Sequence, residues 1–275
     1  MQKKITKFKE YLINEEKSSS TIEKYVHDVT EFLNWLNNRN LTKSEILEYK
    51  RKLINEYAPS SVNSIISSLN TFLDFIGMND CKVKALRFQR KIFASENKEL
   101  TKQEYERLLK TAKDKGNKRL YLLMQTICAT GIRVSELKFI TVEAVKKEKA
   151  DIKCKGKLRV VILPKKLCSL LNKYIKNAGI KNGSVFQTKN GKPLDRSNIW
   201  TNMKKLCAEA NVSPEKVFPH NLRHLFARTY YTLEKDIVRL ADILGHSSIN
   251  TTRIYTMETG EIHKKQIEQL GLLLC

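Results

Sequence analysis

Apolar residues at helical spacing run through the first ninety positions and then give out, and this constrains the fold of the chain most. Ile22, Tyr25, Val26, Val29, Phe32, Leu33 and Leu36 recur at three-and-four spacing, with Ser19, Ser20 or Thr21 available as a cap. Thr42 and Glu45 form a capping-box pattern that opens a helix from Lys43 to about Tyr57. Pro59 breaks the chain, and a further helix carries Val62, Ile65, Ile66, Leu69, Phe72, Leu73 and Ile76 before a stop at Gly77. With an opening helix through Phe8, Tyr11 and Leu12, the pattern predicts a small all-helical bundle over residues 1–84.

The stretch 82–99 lacks this periodicity, being basic at Arg87, Arg90 and Lys91 and polar afterwards, and reads as a linker over 85–99. Helical patterns resume at Thr101 and over 120–130, then cover 167–177, 197–210, 219–231, 236–244 and 249–257. Only 150–164 differs, where Ile152, Val160, Val161 and Ile162 flank Lys155-Gly156-Lys157 in the manner of a β-hairpin. The expected fold is mainly α with a small antiparallel β-sheet, and the second domain spans 100–275. No internal repeat or low-complexity tract interrupts it.

Charge narrows the partner. The 275 residues carry a formal net charge of +22, and residues 101–275 hold +18 of it. Between Lys153 and Lys192 there are eleven Lys or Arg and no Asp or Glu. A generally lysine-rich surface would raise the count without placing it; a one-sign stretch attracts a polyanion, with DNA or RNA as the default. Lys153, Lys157 and Arg159 fall at its start and, with Arg87, Arg90 and Lys91, are the expected DNA contacts. The opening residues have no apolar signal region, and no run of about 18 apolar residues exists to cross a membrane. Six scattered cysteines without a CxxC pair suit reduced thiols rather than disulfides or zinc. The expectation is a cytoplasmic, nucleoid-associated bacterial protein with no membrane contact.

The polar residues that suggest chemistry are ordered along the second domain. Ala129-Thr130-Gly131-Ile132-Arg133-Val134-Ser135-Glu136-Leu137 comes first, then Pro219-His220-Asn221-Leu222-Arg223-His224, then Leu244-Gly245-His246-Ser247, and Tyr255 lies nine residues beyond His246. Cutting a phosphodiester through tyrosine requires cationic donors on the non-bridging oxygens, removal of a phenol proton, and a proton for the departing 5′ oxygen. Arg133 and Arg223 suit the first task because guanidinium stays charged and its planar fork matches phosphate. Taken alone, Arg133 fits a surface pair with Glu136 at i+3 better than a phosphate clamp. His220 and Arg223 follow Pro219 and share a helix face, whereas His224 is expected to point elsewhere as a structural residue. His246 follows a helix stop at Gly245. A tyrosine on a short amphipathic helix is by itself more often core than nucleophile.

In this order the residues resemble the tyrosine recombinase (phage integrase) family. The match is A-T-G-x-R-x-S-E-L, a lysine hairpin, P-H-x-L-R-H, L-G-H-S and the tyrosine, and it covers about residues 99–260. The resemblance implies an N-terminal helical, SAM-like core-binding domain followed by an α+β catalytic domain. It implies that Arg133 and Arg223 clamp the scissile phosphate, His220 assists proton transfer from the nucleophile, His246 donates to the phosphate, and Tyr255 attacks. The hairpin lysine protonates the leaving 5′ hydroxyl. The family's G-K-G-x-K-x-R is one residue shorter here, Cys154-Lys155-Gly156-Lys157-Leu158-Arg159, so Lys155 is assigned and Lys157 stays a rival.

Within the family the chain looks like the compact Xer-like and transposon-type members. That implies a clamp of two domains around double-stranded DNA carrying paired inverted half-sites. A homo-tetramer on DNA, monomeric or weakly associated when free, would pass through a Holliday junction without cofactor, metal or ATP. A second recombinase or an accessory protein stays an open option, and the apolar tail 270–275 could dock on a neighbour or on its own domain. Three other readings compete: a type IB topoisomerase, with a similar residue set; a DNA-binding regulator without chemistry, which would explain the charge but not the ordered residues; and an inactive integrase relic, against which every expected polar group is present.

Overall fold

The computed structural model describes residues 2–87, 99–154, 157–255 and 268–270. The chain divides into two units, Met1–Arg90 and Lys91–Cys275. Each has its own apolar core.

The first unit contains α1 (Gln2–Asn14), α2 (Ser19–Leu36), α3 (Lys43–Glu56) and α4 (Pro59–Phe75). Its core is built from the apolar stripes noted above, including Phe8, Val29, Phe32, Ile46, Leu53, Ile66 and Phe72. Phe8 meets Phe72 edge to face at 5.2 Å between ring centres. Two local details differ from expectation. The residue preceding α2 in extended conformation is Ser18, so Ser19 to Thr21 already lie inside the helix. Pro59 opens α4 as its first residue rather than merely interrupting the chain, because its fixed φ and missing N–H suit that position. After α4, Asn70 bonds the N–H and carbonyl of Val83 at 3.0 and 2.9 Å, and Asn63 does the same for Leu86 at 2.7 and 3.0 Å. These side-chain amides replace a sheet or helix ladder for an otherwise irregular segment. Arg87 follows, exposed. Arg90 and Lys91, and most of the expected linker, lie outside the described residues.

The second unit contains α5 (Lys102–Asp114), α6 (Lys118–Thr130), α7 (Val142–Lys146), β1 (Lys149–Cys154), β2 (Lys157–Ile162), α8 (Lys165–Asn177), α9 (Arg196–Lys204), α10 (Pro219–Glu234), α11 (Ile237–Leu244) and α12 (Ile249–Thr252). A capping box between Thr101 and Glu104 starts α5. Helix α6 is the hub: Leu122, Leu123, Met124 and Ile127 are buried on it, and α5, α8, α9 and α10 pack around it. The expected hairpin forms as an antiparallel pair running from Lys149 opposite Ile162 to Cys154 opposite Lys157. Ala150, Ile152 and Val161 face the core, while Leu158, Val160 and Ile162 alternate outward and are exposed. Helix α9 ends at Lys204, short of the expected 210, and the chain continues in turns that still bury Leu206, Cys207 and Ala210. Among the described residues, no helix is long and apolar enough to cross a membrane.

Candidate active site

Three chain reversals bring the ordered motifs together. Helix α6 stops at Gly131, whose φ of +63° suits glycine, and the space beside it is closed. A Cβ there would lie 2.5 Å from a Phe226 ring carbon and 2.9 Å from Leu244. Arg133 then takes an extended conformation ahead of a 3-10 turn, Val134–Phe139, which buries Glu136. Helix α10 starts at Pro219, so His220 and Arg223 fall in its opening turns. Helix α11 ends at Gly245, again with φ +63°, and the His246 N–H returns to Ala241 O at 3.0 Å.

Arg223 ties these pieces to one another. Only 1 % exposed, it donates to Gly131 O at 2.6 Å and Leu244 O at 2.8 Å, and its Nη2 lies 2.9 Å from His246 Nε2. Its Nε has no protein partner. Burial, then the nearby Arg133 charge, lower its pKa to about 10, with the Tyr255 phenol acting in the opposite sense. It therefore remains a cation at neutral pH. Because guanidinium only donates, His246 Nε2 must accept here, which leaves the His246 proton on Nδ1 to be shared with Thr252 Oγ1 at 2.8 Å. Burial and the Arg223 and Arg133 charges hold His246 neutral, with a pKa lowered to about 4.

Glu136 is a second organiser, one that sequence reasoning placed only as a surface partner. Its carboxylate accepts from the Arg133 backbone N–H and Nη1, both at 2.9 Å, and from Arg159 Nη2 at 2.5 Å. Burial pushes its carboxyl up, but these donors outweigh it and the pKa is lowered overall. Arg159, grouped by sequence with the DNA contacts, turns inward instead: its other fork donates to Ile243 O at 2.6 Å. It buttresses the loop that carries His246. Lys153 is exposed on β1. Lys155 lies outside the described residues, and Lys157 is described only as the first backbone position of β2.

Beside this framework opens a cleft of about 750 Å³ lined by Arg133, Arg196, Trp200, Lys204, His220 and Arg223 among others. Four cations around one concavity suit a phosphate-bearing ligand. His220 stands at its rim, solvent-exposed; partial burial of its ring and the neighbouring Arg223, Arg133 and Arg196 lower its pKa. The sequence signal for Arg196, Trp200 and Lys204 was their i, i+4, i+8 spacing on α9, which carries no chemistry until the cleft is seen.

Tyr255 occupies a 3-10 turn, Arg253–Tyr255, rather than the α-helix expected through Met257. It is 4 % exposed and packs with Ala227, Leu240 and Leu244. Its ring lies parallel to His246 at 6.1 Å and edge-on to His224 at 4.9 Å, and His224 in turn meets His220 edge-on at 4.5 Å. The expectation that His224 points away from this group is corrected. One turn beyond His220 on α10, it sits on the same face and between His220 and Tyr255.

Comparison with known proteins agrees with this architecture. The profile described as "Phage integrase family" matches residues 98–261, and that described as "Phage integrase, N-terminal SAM-like domain" matches 5–77. The chain belongs to the phage integrase family, the tyrosine-type site-specific recombinases. It is 31 % identical to the tyrosine recombinase XerA of Pyrococcus furiosus, over 98 % of this chain and 94 % of that one. It is 27 % identical to the tyrosine recombinase XerD of Halalkalibacterium halodurans, over 88 % of each. Among solved structures, a XerA recombinase crystal structure aligns over 99 % of both chains at 25 % identity with a TM-score of 0.54. A lambda integrase tetramer bound to a Holliday junction shares the fold at a TM-score of 0.73 and 17 % identity, over 92 % of this chain and 76 % of that one.

Proposed function

We propose that this recombinase cuts and rejoins double-stranded DNA through a 3′-phosphotyrosine on Tyr255. The observation that carries the reading is Arg223, which joins the loop before Arg133, the loop before His246 and the Tyr255 pocket through one guanidinium. A phosphate entering the cleft takes up N–H donors of Arg133 and Arg223. The Nη2 proton now shared with His246 turns to the phosphate, and the imidazole takes its other neutral tautomer, with Nδ1 accepting from the Thr252 hydroxyl and Nε2–H donating to the same anion. The Tyr255 oxygen attacks phosphorus as its proton leaves toward His220, and the 5′ oxygen departs with a proton from the hairpin lysine, Lys155 or its rival Lys157. The phosphate bond energy is kept in the phosphotyrosine link, so a 5′ hydroxyl from a partner strand reverses the step on a new strand.

Charge supports a DNA partner: the stretch 153–192 and the cleft are both basic. We further read the working unit as a homo-tetramer on paired inverted half-sites, as the lambda integrase that shares this fold is a tetramer on a Holliday junction. The free chain is a monomer or weak oligomer, and an added recombinase or accessory factor is left to the test. Lys153, Lys157, Arg87, Arg90 and Lys91 are proposed backbone contacts.

The deciding experiment traps SDS-stable protein–DNA adducts on total DNA from the source organism, with Tyr255→Phe in parallel. Adducts at one or a few sites, lost in the variant, are expected. Adducts scattered without preference would indicate a topoisomerase, and tight salt-sensitive binding with no adduct would indicate a regulator or a missing partner.

A further inference from the structure

His224 is the polar ring nearest Tyr255 on α10, and neither composition nor the proposed chemistry accounts for it. It meets the Tyr255 ring edge-on at 4.9 Å and an interplanar angle of 85°, and meets His220 at 4.5 Å and 68°. His246 lies nearly parallel to the phenol, at 16° and 6.1 Å. The phenol ring thus has two imidazole neighbours, and His246 is itself fixed by Thr252 and Arg223. His224 Nε2 is buried with no hydrogen-bond partner. That nitrogen makes no polar contact, so what this edge of the ring offers its neighbours is shape. The groups facing it are His220 and Arg223 from its own helix and Tyr255 from the turn. Burial first, then His220 and Arg223, lower its pKa to about 4. A neutral ring adds no third positive charge beside Arg133 and Arg223.

Resting on the reading of Tyr255 as nucleophile, we propose that His224 is a positioning residue: its ring is a wedge that fixes the plane of the phenol. The role belongs to the shape of the ring rather than to its nitrogens. Attack on phosphorus needs the oxygen near in-line, and a displacement of about 1 Å costs on the order of a hundredfold in rate.

The test compares wild type, Tyr255→Phe, His224→Ala, His224→Leu and His224→Phe for single-turnover adduct formation and for DNA affinity, at equal folded fraction by circular dichroism. Expected is a ten- to hundredfold slower cleavage in the Ala and Leu variants, with DNA affinity within about threefold of wild type. The Phe variant should return to within about fivefold. A Phe variant as slow as Ala overturns the proposal in favour of nitrogen chemistry. Leu matching Phe overturns it in favour of simple space-filling, and Ala at wild-type rate removes the role altogether. Should Ala fail to fold, the Leu–Phe contrast still decides. A wild-type adduct that survives Tyr255→Phe would instead sink the nucleophile reading, and the proposal with it, and is read from a separate lane.

Discussion

Arg159 lies across Gly245 so closely that a Cβ on Gly245 would fall 2.4 Å from Arg159 Cδ and 3.0 Å from its Nε. The same glycine holds φ at +63° and delivers His246 to Arg223. Gly245→Ala therefore meets two penalties, a left-handed backbone of about 1–2 kcal/mol and displacement of a partly buried guanidinium. The expected outcome is a lower urea midpoint together with at least tenfold slower adduct formation. Unchanged cleavage would show that the Arg159–Gly245 contact does not set the His246 loop.

Glu136 offers a sharper stability test. It is buried and pairs with two guanidiniums at once. Glu136→Gln keeps its size but leaves Arg159 and Arg133 without their anion, and loss of one member of a buried ion pair costs roughly 3 kcal/mol. Chemical denaturation should register that loss, with cleavage falling as Arg133 loses its anchor. A change under about 0.5 kcal/mol, the size common for surface substitutions, would mean that solvent already screens the group.

Acid should weaken the second unit in two stages. His224 and His246 both titrate near 4 in the fold, against 6.5 for a free imidazole. The unfolded chain binds these protons first, so the stability they contribute is complete above pH 6.5 and declines as pH falls toward 4. Glu136, with its pKa lowered from 4.5, adds a further loss only below that value. Denaturant midpoints at pH 7.5, 5.5 and 4.5 should fall in that order, and His224→Phe should flatten the first stage. A midpoint constant from pH 7.5 to 5 would contradict the burial of both rings.

Replacing Arg223 with Lys retains the charge and removes the fork. The ammonium cannot hold Gly131 O, Leu244 O and His246 in the same plane as a phosphate. Cleavage should drop by roughly 10²-fold or more, as for loss of an oxyanion donor, while salt-dependent DNA binding changes little. Lys153→Ala should do the reverse: cleavage at saturating DNA is kept, and the log–log salt slope falls by about one. Equal effects of the two substitutions on affinity would remove the distinction between clamp and backbone contact.

The helices were legible because their apolar stripes repeat at short range, and Pro219, Gly131 and Gly245 mark their ends by backbone preference alone. The hairpin was legible for the same reason, from β-branched residues around a lysine–glycine turn. Partnerships across the chain were not. Nothing in the order of residues says that Arg159 bends inward to Glu136 rather than outward to solvent, since both are permitted for an arginine on a strand edge. His220 and His224 are four apart and share a face of α10 by helix geometry alone, so their proximity is legible in the sequence; what the sequence does not show is the turn that lays Tyr255 over that face. Arg196, Trp200 and Lys204 share a helix face in any reading, but only the packing of α9 near α6 and α10 turns that face into the wall of a cleft.

The outer face of the hairpin sets a practical limit on handling the free protein. Leu158, Val160 and Ile162 are exposed on a strand that, among the described residues, has β1 as its one neighbour. Such an edge is a template for another copy. Lys149 and Lys153 stand directly across from Ile162 and Leu158 on the same outward face, so two copies that lay these faces together also bring like charges together. That repulsion fades once ionic strength shortens the Debye length to a few ångströms, at about 1 M salt. The concentrated salt that strips DNA from a purified sample is thus the same condition that lets the bare strands find each other.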